Sequence, residues 1–208
     1  MPKRRHSVIG NASLYPKAPH PLPDGAPLPQ HPISTITLEF VAGSATDPAV
    51  FVNRNIHGHR CKWYTRRYFE IRTRDDHTVI SRAGSNEEVA SIEWDKSGQD
   101  AMVYAEDFIS LPMLVSDFVK PSDDGTYRDM VFGNIVYVWI SLEMEGSKSI
   151  YLYKRRNKSP KELARIYRCV DRRTICLDIS DSAIGVGLLV PCIIYTALVL
   201  STLEIEYA

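Results

Sequence analysis

The longest charge-free segment of the chain constrains its fold more than any other feature. It runs from Ser182 to Leu203 and contains 22 residues. That length is enough to span a bilayer. Its flanks are acidic, however, no Lys or Arg occurs in the last 35 residues, and Gly, Pro, Ser and Thr dilute its hydrophobicity. The pattern therefore favours a helix at about 183–203 that protein surrounds on every side over a membrane tail anchor.

Short runs with a two-residue period begin at Ile33. In the stretch from Cys61 to Ile71, alternate residues are apolar, which predicts a strand with one packed and one solvated side. Residues 53–58 and 121–125 are predicted to be turns. Further strands are predicted at 35–41, 77–82, 87–94, 101–106, 135–142, 148–154, 163–169 and 173–179. Strands this numerous and evenly spaced predict a barrel or a sandwich.

Two short motifs recur along the chain. Glu88–Glu93 resembles Glu162–Tyr167 at an offset of 74 residues, and Tyr68–Ile71 resembles Tyr137–Ile140 at an offset of 69. A further strand lies between the paired motifs in each half. This repeat predicts two related half-sheets that face a common interior.

The N-terminal segment differs in composition from the rest of the chain. Residues 1–32 contain eight of the 13 prolines and few aliphatic residues, which predicts a disordered, extended arm. A flexible leader is favoured there over a ligand for a proline-reading domain. Residues 33–208 are predicted to form a single domain.

The cysteines and the basic start of the chain bear on its location. The four cysteines include no C-x-x-C pair, and no apolar segment follows the basic residues at positions 3–5. Free thiols without a secretory signal predict an intracellular, cytoplasmic protein.

Several short motifs, in order along the chain, resemble those of a known family. Residues 34–203 resemble an uncharacterised domain family abundant in mushroom-forming fungi. That family belongs to the tubby C-terminal-like group, together with tubby proteins, phospholipid scramblases and plant LURP-one-related proteins. The matching segments are Asp47 and Pro48 after the first strand, Val89 to Trp94, Tyr137 to Trp139, Leu163 and Ala164, and Leu177 to Ile179 before the apolar run.

The resemblance implies a fold and a class of ligand. The fold is mainly β, a closed or nearly closed antiparallel barrel of about twelve strands around the hydrophobic C-terminal helix. Tubby proteins bind phosphoinositides through basic residues on the barrel surface, although none of those positions is matched here one by one. The chain also departs from the expected pattern, because Glu204 and Glu206 follow the final helix in place of basic residues. No cofactor is implied.

The net charge of zero is the sum of strongly charged blocks. Residues 54–82 hold eight basic and three acidic side chains, residues 87–130 hold three and eleven, and residues 148–173 hold ten and two. Anionic lipid headgroups attract such basic clusters, whereas a neutral chain argues against specific nucleic-acid binding. The alternative is a solvated face paired in part with the acidic block. The predicted ligand-binding patch consists of Lys154, Arg155, Arg156, Lys158, Lys161 and Arg165.

One short stretch contains residues that can ligate metal or act as nucleophiles. His57, His59 and Cys61 could supply three zinc ligands, but no fourth ligand lies nearby and a structural turn is favoured, so no metal site is predicted. Together with His77 these residues form the alternative candidate pocket. No G-x-S-x-G motif is present.

The sequence therefore predicts a non-enzymatic intracellular binding module that is cytoplasmic or peripheral to a membrane. Its partner is expected to be an anionic phospholipid or another protein, bound through the basic surface. The alternative is an enzyme or small-ligand carrier that uses the His/Cys pocket.

Overall fold

The computed structural model describes residues 34–42, 48–56, 59–60, 66–95, 100–144, 147–155, 161–169 and 174–201. The predicted arm at 1–32 lies outside these ranges. The described strands are β1 (Ser34–Ala42), β2 (Pro48–Ile56), β3 (His59–Arg60), β4 (Arg66–Arg74), β5 (His77–Arg82), β6 (Glu88–Glu93), β7 (Met102–Ala105), β8 (Ile109–Leu114), β9 (Val119–Pro121), β10 (Tyr127–Phe132), β11 (Ile135–Met144), β12 (Ser147–Lys154), β13 (Glu162–Cys169) and β14 (Thr174–Ser180). The helices are α1 (Val115–Phe118), α2 (Asp181–Gly185) and α3 (Leu189–Ser201).

The strands pair antiparallel in one continuous ladder. Its order is β8-β7-β6-β5-β4-β2-β1-β14-β13-β12-β11-β10-β9, and β3 attaches to β2. The mainly β, antiparallel prediction is confirmed. Within the described residues no strand pairing joins β8 to β9, so the ladder is open and the closed barrel stays a prediction.

Some strands were missed by the sequence analysis. Strands β2 and β3 were not predicted, and residues 53–56, which were predicted to lie in a turn, belong to β2. Strands β8, β9 and β10 were not predicted either. Strand β8 is irregular, β9 has only three residues, and β10 follows a turn-rich segment. Their residues lack the sustained two-residue alternation from which the other strands were identified.

Strand β4 shows why that alternation works where it is present. Its Phe69 and Ile71 are buried at 1% and 3% exposure, while Tyr68, which precedes Phe69, is 43% exposed and Arg72, which follows Ile71, is also exposed. Successive side chains of a strand point to opposite faces. The predicted packed and solvated faces are therefore confirmed for the part of the 61–71 strand that the structure describes.

The charge-free C-terminal run forms the centre of the hydrophobic core. It contains two helices, α2 and α3, rather than the single helix predicted at about 183–203. Every residue of α3 from Pro191 to Val199 is buried, and the rings of Tyr195 and Trp139 stack with centroids 4.5 Å apart. A helix that is apolar on all sides is stable in water only when other side chains surround it. Among the described helices, none has both the length and the apolarity needed to cross a bilayer.

A tight turn separates the two helices. The Ser180 hydroxyl caps α2 by accepting a hydrogen bond from the Ala183 N–H at 3.2 Å. The chain then reverses at Gly187, whose φ is +87° and whose N–H donates to the Ile184 carbonyl. A Cβ at Gly187 would lie 3.2 Å from the Phe132 ring. Both the backbone angle and the close approach therefore require glycine.

The two halves of the sheet repeat the same pairing and the same bulge. Ile80 of β5 pairs with Ala90 of β6, and the register shifts just after Ile80. Leu152 of β12 pairs with Ala164 of β13, and the register shifts just after Leu152. The pairing therefore supports the predicted repeat at the offset of 74 residues, in which Ala90 corresponds to Ala164.

The other half of the predicted repeat is wrong by one residue. Ile80 pairs with Ile71, and its counterpart Leu152 pairs with Trp139, so the offset between β4 and β11 is 68 rather than 69. Ile71 and Trp139 both lie in the core, whereas Tyr68 is exposed and Tyr137 is buried. A slip of one residue exchanges the two faces of a strand, and matching the tyrosines introduced that slip.

The counterpart of β1 in the second half is interrupted. In its pairing with β7, Met113 of β8 has the position that Leu38 of β1 has in its pairing with β14. In its pairing with β10, Val119 of β9 has the position that Phe40 of β1 has in its pairing with β2. One residue separates Leu38 from Phe40, but five separate Met113 from Val119. The four additional residues match the four residues of α1. Strands β8 and β9 therefore correspond to one strand divided by a helical turn.

Substitution of Gly187 tests the turn between α2 and α3. We expect Gly187→Ala to lower the free energy of unfolding by about 1–2 kcal/mol, because it adds backbone strain and a contact with Phe132. The matched control is Gly185→Ala, where a Cβ would meet nothing within 4 Å. Urea unfolding of both variants measures the difference. Equal losses in the two variants would contradict this account of the turn.

Candidate functional site

A second apolar cluster lies on the face of the sheet that points away from α3. It consists of Val138, Ile140, Tyr151 and Tyr153, with Tyr127 and Leu142 packed against it. These residues alternate along β11 and β12 with side chains of the core, such as Trp139 and Leu152. Two residues of the predicted basic patch, Arg155 and Arg165, are held on the outer face beside this cluster.

Arg155 follows β12 and is held at the edge of the outer cluster. Its guanidinium forms an ion pair with Asp129 of β10 and lies 5.6 Å from the centre of the Tyr127 ring. The side chains of Arg155 and Asp129 are only 26% and 21% exposed. The charge of Arg155 is therefore largely matched within the protein, and its role is to join β12 to β10.

Arg165 of β13 is likewise tied into the outer face. Its guanidinium lies 4.4 Å from the centre of the Tyr167 ring and 5.6 Å from that of Tyr151, which is the geometry of cation–π contacts. Its backbone position pairs directly with that of Asp178 on β14. Arg165 is therefore part of a polar network on the sheet and does not extend from it as a free cation.

Asp178 is the centre of that network, and sequence reasoning missed it. The carboxylate is 5% exposed, accepts a hydrogen bond from the Thr37 hydroxyl at 2.5 Å, and lies 3.4 Å from the Tyr167 hydroxyl. The network therefore links β1, β14 and β13. One signal was available in the sequence, because Asp178 stands alone between Leu177 and Ile179 in an otherwise apolar strand, and such a carboxylate needs donors nearby.

Glu162 begins β13 beside this network and has an altered acidity. Its carboxyl is 4% exposed, and burial raises its pKa to about 7, although Arg165 opposes the rise and Asp178 adds to it. Glu162 is therefore a group that changes charge near neutral pH. It occupies the position that the exposed Glu88 occupies in the first half of the sheet.

The remaining four basic residues of the predicted patch belong to one connection or to its two ends. Lys154 and Lys161 are exposed at the two ends of the segment that joins β12 to β13. Arg156 and Lys158 lie within residues 156–160, outside the described residues. The structure thus divides the predicted patch into two side chains held on the outer face, Arg155 and Arg165, and a basic connection bounded by lysines.

The residues of the alternative pocket are not brought together where the structure describes them. His59 belongs to β3, which pairs with the last two residues of β2. His77 is exposed at the opposite end of these strands, where β4 turns into β5. Eight residues of β4 separate these ends, or about 26 Å at 3.3 Å per residue. His57 and Cys61 lie outside the described residues.

The described thiols, Cys169, Cys176 and Cys192, are buried. Burial is the main cause that raises the pKa of Cys176 to about 12, and it also raises the pKa of Cys192. A reactive cysteine needs the opposite shift, because the thiolate is the nucleophile. Across the described ranges, no three His, Cys, Asp or Glu side chains are grouped so that they could hold a metal ion.

The ion pair of Arg155 predicts a difference between two adjacent basic residues. We expect Arg155→Ala to lower the free energy of unfolding by about 1–2 kcal/mol, because it leaves the half-buried Asp129 carboxylate without its cation. Lys154→Ala is the matched control, and an exposed lysine should change stability by less than about 0.5 kcal/mol. Urea unfolding at low salt measures both. If the two variants lose the same stability, Arg155 has no structural role.

The raised pKa of Glu162 predicts a pH-dependent effect on stability. Because the folded chain binds this proton more tightly than the unfolded chain, the contribution is complete below about pH 4.5 and is lost as the pH rises through about 7. Glu162→Gln should therefore stabilise the fold at pH 8, by on the order of 1 kcal/mol, and much less at pH 5.

Thermal unfolding of wild type and variant at the two pH values measures this. Glu88→Gln, at the exposed equivalent position, is the control and should give the same small change at both. A gain at pH 5 that equals the gain at pH 8 would contradict the assignment to Glu162.

No family model matches the sequence, and no curated protein matches it. A structure similar to this one is the X-ray structure of a protein from Arabidopsis thaliana. It is 13% identical over 79% of this chain and 93% of that chain, with a TM-score of 0.34.

Proposed function

We propose that the protein is a non-enzymatic, intracellular binding module that associates with anionic phospholipid surfaces at the membrane periphery. The binding element is the basic connection between β12 and β13, defined by Lys154, Arg156, Lys158 and Lys161. An acidic protein partner is the alternative ligand for the same element. The two described lysines of this element, Lys154 and Lys161, are exposed where β12 ends and β13 begins.

The exposure of Lys154 and Lys161 is the observation that carries this proposal. Both lysines are exposed at the ends of the connection, and the sequence between them adds Arg156 and Lys158 but no acidic residue. Each basic residue near an anionic membrane contributes about 1 kcal/mol of attraction. Four such residues are enough for reversible association, while Arg155 and Arg165 are engaged within the protein.

We further propose that the sheet is a nearly closed, tubby-like barrel around α3. Three observations support this. The end strands β8 and β9 are separated by only the four residues of α1, the residues of α3 from Pro191 to Val199 are buried throughout, and the interrupted strand corresponds to the uninterrupted β1. With β8 and β9 taken as one strand and β3 as an appendage, the ladder has about twelve positions.

The test uses vesicle co-sedimentation of the full chain. We expect binding to vesicles that contain phosphatidylserine, no binding to phosphatidylcholine alone, and loss of binding at high salt. Lys154→Gln combined with Lys161→Gln should weaken partitioning by about thirtyfold, because two attractions of about 1 kcal/mol each are removed.

The matched control is Lys148→Gln together with Lys120→Gln. Both are exposed lysines, one at the other end of β12 and one on β9, and they carry the same total change in charge. Binding that falls equally in both double variants would indicate a general charge effect and contradict the assignment to the connection. Absence of pelleting with any vesicle would instead direct the search to an acidic protein partner.

The enzyme or carrier alternative depends on His57, His59 and Cys61. None of the described side chains supports it, since burial raises the pKa values of Cys176 and Cys192, and His77 lies at the far end of the sheet from His59. The binding module is therefore the function that we propose.

A further inference from the structure

An apolar surface is exposed where the ladder of strands is interrupted. We call it the seam and define it by Leu111 and Leu114 of β8 and Val131 of β10. Their side chains are 76%, 40% and 61% exposed, which is unusual for large aliphatic residues grouped in one place. On the inner side of the same interruption, the rings of Phe108 and Phe132 pack with centroids 5.3 Å apart.

The position of the seam follows from the correspondence between the two halves. In the first half, β1 pairs with β14 on one side and with β2 on the other. In the second half, β8 pairs only with β7, and β9 pairs only with β10, among the described strands. Side-chain packing between Phe108 and Phe132 therefore replaces the backbone hydrogen bonds that would otherwise join β8 to β10. Within the part of the chain that the structure describes, no strand lies beside the outward side chains at this break.

Strand β8 is also irregular where Leu111 is most exposed. Its Met113 pairs with Val103, and its Ile109 pairs with Ala105, so β8 has two more residues than β7 over this interval. The extra residues form a bulge that turns Leu111 outward. Bulges of this kind change the direction of a side chain at a sheet edge, and here the change creates apolar exposure.

The rim of the seam is acidic. Exposed carboxylates occur in the turn before β8, in α1 and in the turn after β9, and the exposed Lys120 lies among them. Ser122 and Thr126 donate hydrogen bonds to Asp124 and hold its pKa at about 2, so it remains charged. The acidic residues are Glu106, Asp107, Asp117, Asp123 and Asp124.

We propose that the seam binds the N-terminal arm of the same chain, through residues 3–15. This segment begins with Lys3, Arg4 and Arg5 and continues with Val8, Ile9 and Leu14. Its basic residues complement the acidic rim and its aliphatic residues match the apolar side chains. Residues 1–33 contain four Lys or Arg and a single acidic residue, Asp24.

The length of the chain permits this contact. Six strand spacings separate β1 from the seam in either direction around the ladder, which is about 29 Å at 4.8 Å per spacing. The 19 residues from 15 to 33 are proline-rich and span about 59 Å in an extended polyproline conformation. The tether is therefore about twice as long as the distance it must cross.

A second copy of the chain fits the seam less well than the arm does. Two seams placed edge to edge would bring two acidic rims together, and like charges repel. Pro112 of β8 and Pro121 of β9 also remove backbone donors from the two edge strands, a feature that discourages strand pairing between copies. The binding is therefore expected to be intramolecular and to depend on side chains and charge.

Photo-crosslinking of the full chain tests the proposal directly. A benzophenone amino acid at position 111 should crosslink to residues 1–16 within one chain, as read by mass spectrometry of the monomer band. The same amino acid at position 68 is the control, since Tyr68 is exposed at 43% but lies four strands from β8. Crosslinks between two chains, or equal arm crosslinks from both positions, would overturn the proposal.

A competition experiment supplies a second, independent readout. In the full chain, Lys3→Glu, Arg4→Glu and Arg5→Glu together should release the arm from the seam. A synthetic peptide of residues 1–16 should then bind this variant roughly tenfold more tightly than wild type, because the tethered arm no longer competes at its high local concentration.

Adding Leu111→Asp and Val131→Asp to that variant should abolish the gain in peptide affinity. Both side chains are mostly exposed, so these changes leave the fold intact, and an unchanged unfolding midpoint verifies this. Equal peptide affinity in all three proteins, or no binding to any of them, would overturn the proposal.

Discussion

The burial of α3 is the constraint on which the rest of the structure depends. A helix that is apolar on every side needs apolar partners around its whole circumference, and the buried residues Pro191 to Val199 receive them from strands of both halves of the sheet. Each strand must therefore present apolar side chains inward at every second position. Charged side chains of the strands are therefore directed to the outer face or lie at the strand ends, which is where we look for a function.

The two junctions between the halves of the sheet are held together in different ways. Where β1 is continuous, Thr37, Tyr167 and Asp178 form a buried polar network that joins three neighbouring strands. Where the corresponding strand is divided by α1, aromatic packing of Phe108 on Phe132 joins the halves instead. One junction is joined by hydrogen bonds and the other by inner-face side chains, and no described strand covers the apolar outer side of the second junction. This asymmetry of the sheet follows from the single insertion.

The sequence revealed properties that depend on neighbouring residues and concealed those that depend on distant ones. The alternation around Phe69 identified the faces of β4, and the missing charges after residue 182 identified the central helix. The side-chain partners of Arg155 and Asp178 could not be predicted, because Asp129 lies 26 residues from Arg155 and Thr37 lies 141 residues from Asp178. The one-residue error in the repeat has the same origin, since only the cross-strand pairing shows which tyrosine faces the core.

The zero net charge conceals two surfaces of opposite sign. The acidic rim of the seam surrounds β8 and β9, and the basic connection follows β12, three strand spacings from β9. Three spacings of 4.8 Å amount to about 14 Å, whereas charges in physiological salt are screened beyond about 8 Å. The two surfaces therefore do not neutralise one another, so the two binding events that we propose need not compete. An electrically neutral chain of this kind can hold a basic segment at one place on its sheet and approach an anionic surface with another.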